Sequence, residues 1–168
     1  AIDRLAFSNC NFSGELKLPS TLEIISDYAF CGDLRISGTL KIPDNIIFIG
    51  SYAFFDCHSI EGIIFPESME NIGSGAFGNC FGVGSIVCQS SIPPYISTGA
   101  FNGVAKDNFT VEVPESAVAD YQTALGWNEF KRIGAHHELI CRPAIANAIN
   151  TRCTRKLILN AESDWEVE

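Results

Sequence analysis

Positive charge is scarce in this 168-residue sequence: Lys and Arg number 11 against 20 Asp and Glu, for a formal net charge of −9 and a pI near 4.7. That balance argues against a nucleic-acid ligand, which needs clustered cations to neutralise phosphates. It argues equally against adsorption to an anionic membrane surface. No apolar run approaches the roughly 18 to 20 residues that span a bilayer, so no membrane insertion is expected within these residues. The seven cysteines contain no CxxC pair, which removes zinc-ribbon spacing. HExxH, GxSxG and P-loop motifs are all missing. Gly78, Gly82 and Gly84 lie in a loop-like run with no helix after it, so they do not cradle phosphate. His136-His137-Glu138 lacks suitably spaced acidic or thiol partners for a metal and reads as exposed linker. With three histidines in all (His58, His136, His137), a catalytic triad has few candidates. The expectation is a non-enzymatic protein without cofactor or metal.

What is present is a repeat. Apolar residues make up 46% and charged residues 18%, a globular composition with room for one domain and part of a second. Ala-Phe recurs at Ala6-Phe7, Ala29-Phe30, Ala53-Phe54, Ala76-Phe77 and Ala100-Phe101, with the Phe positions stepping by 23, 24, 23 and 24. Pro19, Pro43 and Pro66 each precede a repeat Phe by 11 residues. Three residues after each proline stands Leu22, Ile46 or Met69, and six after it Ile25, Ile49 or Ile72. Before each proline comes an alternating pair: Leu16 and Leu18, Leu40 and Ile42, Ile63 and Phe65. The chain opens at Ala1-Ile2-Asp3 in mid-repeat, which reads as a fragment with any export signal upstream.

Alternation with period two predicts a short strand. Proline ends it, because it has no N–H for a ladder. A unit of 23 to 24 residues is too short for a βαβ crossover of about 30. It suits one coil of a solenoid: strand, turn, short extended or 3₁₀ return, turn. One coil encloses no core, but stacked coils do, each laying its Phe and Ile on the next at roughly 4.8 Å. The visible columns are therefore packing columns. Cys10, Cys57 and Cys80 each follow a repeat Phe by three, while Cys31 follows by one. They read as a ladder of small buried thiols. Parallel neighbours about 5 Å apart give poor disulfide geometry, so free thiols are expected. Cys141 and Cys153 lie outside the ladder, and a bridge between them is left open.

The last coil is degenerate, with Ser85-Ile86-Val87-Cys88 as its strand. After Val111-Glu112-Val113-Pro114 a helix is expected over about 116–126, with Ser116 as N-cap, Val118, Tyr121 and Leu125 on one face, and Gly126 ending it. Trp127 and Phe130 follow, and the helix and its aromatics would cover the open end of the solenoid. For Trp127 this covering role outweighs sugar stacking. Asn11-Phe12-Ser13 and Asn108-Phe109-Thr110 fit the N-glycosylation sequon; no role is assigned to them.

The set Leu40-Lys41-Ile42-Pro43, Ile46, Ile49-Gly50, Ala53-Phe54, Cys57 and Ile60 resembles the BspA-like leucine-rich repeat, abundant in surface proteins of Bacteroides-like bacteria and some mucosal protists. The resemblance covers residues 1–134. It implies a β-rich α/β fold: a right-handed leucine-rich-repeat solenoid of about five coils with a C-terminal capping helix. Departures are the placement of Cys31, and Gly75 and Gly99 where Tyr28 and Tyr52 stand. Residues 135–168 read as a linker followed by a hairpin-like start. There Leu157-Ile158-Leu159-Asn160-Ala161 and Ser163-Asp164-Trp165-Glu166-Val167 resemble the opening strands of a BACON domain, a β-sandwich suspected of carbohydrate or mucin binding. Exposed strand edges are sticky, so self-association through these C-terminal strands is open to the chain.

A binding surface, on this reading, lies on the strand face. One outward ladder runs Lys17, Lys41, Ile64, Val87, Glu112, and another runs Glu15, Thr39, Gly62, Ser85, Thr110. Ile64 and Val87 side by side would form a small exposed apolar patch; strand propensity alone also accounts for them. The candidate ligand-binding residues are Lys17, Lys41, Ile64, Val87, Glu112 and Thr39. The resemblance implies an extracellular or cell-surface, outer-membrane-anchored binding or adhesion module that presents this face to a host protein or glycan. A structural spacer projecting another domain, or an accessory module of a glycan-degrading protein, stand as alternatives.

Overall fold

Two backbone positions in every coil set the path of the chain in the computed structural model, which describes residues 1–136. The residue two before each repeat Phe is left-handed: Leu5, Tyr28, Tyr52, Gly75 and Gly99 have φ of 61°, 58°, 57°, 63° and 73°. So is the residue two after it: Asn9, Gly32, Asp56, Asn79 and Gly103, at 56° to 86°. Asn, Asp and Gly tolerate this region best. Between the two bends the Ala-Phe pair is held with its ring pointing inward.

The pre-proline segments form strands β1 (Ser13–Glu15), β2 (Arg35–Lys41), β4 (Ile60–Phe65), β6 (Ser85–Cys88) and β8 (Val111–Val113). Together with β9 (Ile133–Ala135) they make a six-stranded parallel sheet in the order β1-β2-β4-β6-β8-β9. The return segments form a second parallel sheet, β3 (Phe48–Ile49), β5 (Asn71–Ile72) and β7 (Tyr95–Ile96). Single bridges Ile2↔Ile25 and Ile25↔Ile49 carry it back to the first coil. This is the expected leucine-rich-repeat solenoid of about five turns, with one short helix, α1 (Val118–Thr123), near its C-terminal end.

The core is the stack of columns. Rings Phe7, Phe30, Phe54, Phe77 and Phe101 lie nearly parallel, with successive centroids 5.4, 5.1, 5.4 and 5.4 Å apart. Ile25, Ile49 and Ile72 are fully buried beside them. Stacked aromatic pairs contribute about 0.5–1.5 kcal/mol each beyond their burial. The five described cysteines are free thiols. Cys57 and Cys80 are buried, and each donates its S–H to the Phe carbonyl one coil back, Phe30 at 3.2 Å and Phe54 at 3.1 Å. Burial pushes the Cys57 thiol up and raises Cys80 to about 12. The ladder does not extend to the first coil. Cys10 is exposed, and Asp33 occupies the second coil's position, where its Oδ1 accepts the Asn11 N–H at 2.7 Å. Burial pushes the Asp33 carboxyl up, against the lowering effect of the Asn11, Phe12 and Cys10 backbone N–H groups.

The C-terminal closure departs in detail from the expected helix over 116–126. Glu115–Ala117 form a 3₁₀ turn, α1 follows, and Trp127–Glu129 form a second 3₁₀ turn. Ser116 is not the N-cap. Ala117 holds that place without a side-chain hydrogen bond, because the 3₁₀ turn after Pro114 supplies the entry. At Ala124 the backbone becomes extended, which throws Leu125 outward, 76% exposed, rather than onto the face of Val118 and Tyr121. Trp127 is fully buried against Phe101, Tyr121 and Phe130. Its Nε1 donates to the Pro94 carbonyl at 2.8 Å, and the Tyr121 hydroxyl donates to the Ser90 carbonyl at 3.0 Å. Ala1–His136 form one compact unit. The BACON-like stretch and the pair Cys141 and Cys153 lie outside the described residues.

Candidate interaction surfaces

The long sheet brings four of the six candidate residues into one row. Lys41, Ile64, Val87 and Glu112 stand opposite one another in unbroken register across β2, β4, β6 and β8. Their environments grade along the row: Lys41 is exposed, and Ile64, Val87 and Glu112 are half-buried. The apolar pair is therefore less exposed than the alternation implied, because side chains stacked at strand spacing cover each other's flanks. Glu112 is engaged by the next rung, its Oε2 lying 2.7 Å from His136 Nδ1. His136 also donates its backbone N–H to the Val113 carbonyl. It thus extends the ladder by one rung beyond the linker expected there.

At the other end the expected alignment shifts. Glu15 stands opposite Ser37, not Thr39, and Lys17 lies beyond the end of β1. An uneven repeat accounts for one residue of this two-residue shift: the step from repeat Phe to proline is 13 residues from Phe30 to Pro43 but 12 from Phe7 to Pro19 and from Phe54 to Pro66. The register between β2 and β4 slips at Gly38/Thr39, where Gly38 takes up the irregularity with φ 75°, a conformation open to glycine at little cost. Thr39↔Gly62↔Ser85 holds as predicted. Lys17, Thr39 and Lys41 still meet, lining one shallow groove of about 270 Å³ with Glu15, Leu18 and Asp44. Lys17 Nζ is 3.8 Å from Glu15 Oε2, both well exposed, a pair worth little in water.

Most of the exposed apolar surface lies elsewhere. On the short sheet Ile25, Ile49, Ile72 and Ile96 point in, so the residue before each points out. This outer column reads Ile24, Phe48, Asn71, Tyr95, with Ile24 48%, Phe48 42% and Tyr95 59% exposed and neighbouring Ile47 51%. The alternation that located the inward Ile residues also marks these positions. The fifth coil's Pro93-Pro94 hid Tyr95 and Ile96.

The repeat columns, two parallel sheets and aromatic stack have a counterpart among known families: the profile of the BspA type leucine rich repeat region matches residues 1–121 in six copies. The chain belongs to this family. Such repeats suggest a protein-interaction or surface module, and the repeat family is typically a non-enzymatic binding scaffold. No curated protein matches the chain. Among the described residues of this BspA-type chain, no group of three His, Cys, Asp or Glu side chains is placed to hold a metal ion, and no helix is long and apolar enough to cross a membrane.

Proposed function

We propose that the chain is an extracellular, cell-surface binding or adhesion module whose long-sheet face engages a host protein or glycan. The observation that carries this reading is the continuous row Lys41–Ile64–Val87–Glu112, held in register by four parallel strands. A rigid row running from cation through aliphatic to carboxylate offers a partner contacts of three kinds without any ordering cost on this side. The family supplies the setting, since its repeats make surface modules; fold alone does not fix function. Lys17 and Thr39 extend the row into the adjoining groove.

Alanine at both Ile64 and Val87 tests the face. The native chain and the double variant are compared on immobilised host matrix proteins and mucin glycans, with circular dichroism as the folding control. At least a tenfold loss of affinity, about 1.4 kcal/mol, is expected on the ligand that the native chain binds. Unchanged binding would remove this face from the reading, and no binding by the native chain to any of these ligands would favour a spacer that projects another domain.

A further inference from the structure

On the short sheet the first rung shows the full hydrogen-bond pattern between neighbouring coils. Ile2 donates its N–H to the Ile24 carbonyl at 2.8 Å, and its own carbonyl accepts the Ser26 N–H at 3.0 Å. Along the same column the carbonyls of Ile25, Ile49 and Ile72 accept the N–H groups of Gly50, Gly73 and Ser97, each at 2.9 Å. Ile96 is the next member. Tyr95 and Ser97 donate backward, to Glu70 and Ile72, so alternation along the strand aims the N–H and carbonyl of Ile96 forward. Among the described residues neither group has a partner, and β7 is the edge of its sheet. The preceding carbonyl, Pro94, is occupied by the Trp127 indole.

No strand follows β7, because the sixth coil does not return as one; there Gly126 packs against the buried Ile96 side chain. After β8 the chain turns at Pro114 into 3₁₀ and α-helix, so β8 and β9 lengthen the long sheet without adding to the short one. A groove of about 160 Å³ runs beside the β7 edge, lined by Tyr95, Ser97, Gly99, Lys106, Leu125 and Glu129. Tyr95 and Leu125, 59% and 76% exposed, are its apolar members. Gly99 and nearby Gly126 contribute no side chain to its walls, and Lys106 is paired with Glu129.

We propose that this edge is a docking site for an extended peptide segment of a partner protein, which adds to the short sheet as a parallel strand beside Tyr95–Ile96 and lays an aliphatic side chain between Tyr95 and Leu125. The occupant follows from continuity with the interface between coils. One coil earlier the same kind of edge accepts an extended segment through the same carbonyl column, with Ile opposite Ile. Main-chain bonds supply the affinity in such strand addition and alternate side chains supply selectivity. The groove has room for a side chain or two and not for a folded domain. This site is separate from the long-sheet face.

The probe is a synthetic peptide with the sequence of residues 67–75, the chain's own return strand, titrated into the 168-residue chain and followed by amide NMR. The Ile96 amide is expected to shift and its hydrogen exchange to slow by roughly tenfold or more at saturation, with a scrambled peptide producing neither effect. Tyr95→Glu and Leu125→Glu, both exposed and so compatible with folding, are each expected to weaken binding by about tenfold or more. No change at Ile96 with millimolar peptide, equal binding of the scrambled peptide, or undiminished binding to both variants would each overturn the proposal.

Discussion

Gly75 and Tyr52 are one packing unit. Gly75 stands where earlier coils carry tyrosine, in the same left-handed bend, and a Cβ there would lie 2.6 Å from Tyr52 Cε1. The Tyr52 ring, itself stacked on Tyr28 at 5.0 Å, uses the space that the missing side chain leaves. The substitution of Gly for Tyr along this column thus ends the tyrosine stack rather than disturbing the fold. Gly75→Ala is expected to cost about 1–2 kcal/mol for the left-handed backbone, with the Tyr52 ring displaced as well. Gly84→Ala, where the nearest atom to the added Cβ is 3.9 Å away and φ is not in the left-handed region, is expected to change stability by less than about 0.5 kcal/mol. Urea denaturation of the two variants separates these outcomes, and equal midpoints would refute the argument. In the sequence Gly75 and Gly99 were visible only as departures from a tyrosine column. Their meaning needed φ, which no residue type states by itself.

Among the elements, the closing segment was the hardest to read and the strands were the easiest. Strand positions follow from alternation before proline, and both are local signals. The helix prediction used equally local signals, the spacing of Val118, Tyr121 and Leu125 and a serine in cap position. Tertiary demand overrode them, because burying Trp127 under Phe101 requires the chain to leave the helix at Ala124. Strand β9 had no local signal at all. Ile133-Gly134-Ala135 is short and half-buried, and it becomes a strand by pairing with β8. Of the candidate face, the register of Lys41 to Glu112 was legible from the repeat, whereas Lys17 falls beyond the end of β1, where the pairing with β2 is shifted. The Tyr121 hydroxyl secures the closure to the fifth coil through the Ser90 carbonyl, while burial pushes its phenol pKa up. Tyr121→Phe would leave that shielded carbonyl without its donor, at an expected cost of about 1–3 kcal/mol. Thermal melts monitored by tryptophan fluorescence would show it, and an unchanged midpoint would mean that the hydroxyl adds nothing net.

Across the described residues 1–136 the two ends of the stack are unequal. At the C-terminal end Trp127, Tyr121 and Phe130 cover Phe101. At the other end Phe7 is 36% and Phe12 40% exposed, and Leu5 and Cys10 are also open. Stability in a stack is close to a sum of neighbour terms, and within residues 1–136 the first coil packs on one neighbour where the third packs on two. Native-state hydrogen exchange is expected to show a gradient, with the Phe7 and Asn9 amides opening far more readily than those of Phe54 and Phe77, although all four donate to the next coil at 2.8 Å. Uniform protection along the column would show that the coils open together.

The aromatic column has a mechanical side. Because each ring leans on the next and little links distant coils, a pull on the N-terminal end loads one seam at a time. Each seam that parts would release 23 to 24 residues, about 80 Å of extended chain. A domain built this way yields to tension like tape leaving a spool, lengthening in regular steps while the coils behind still hold.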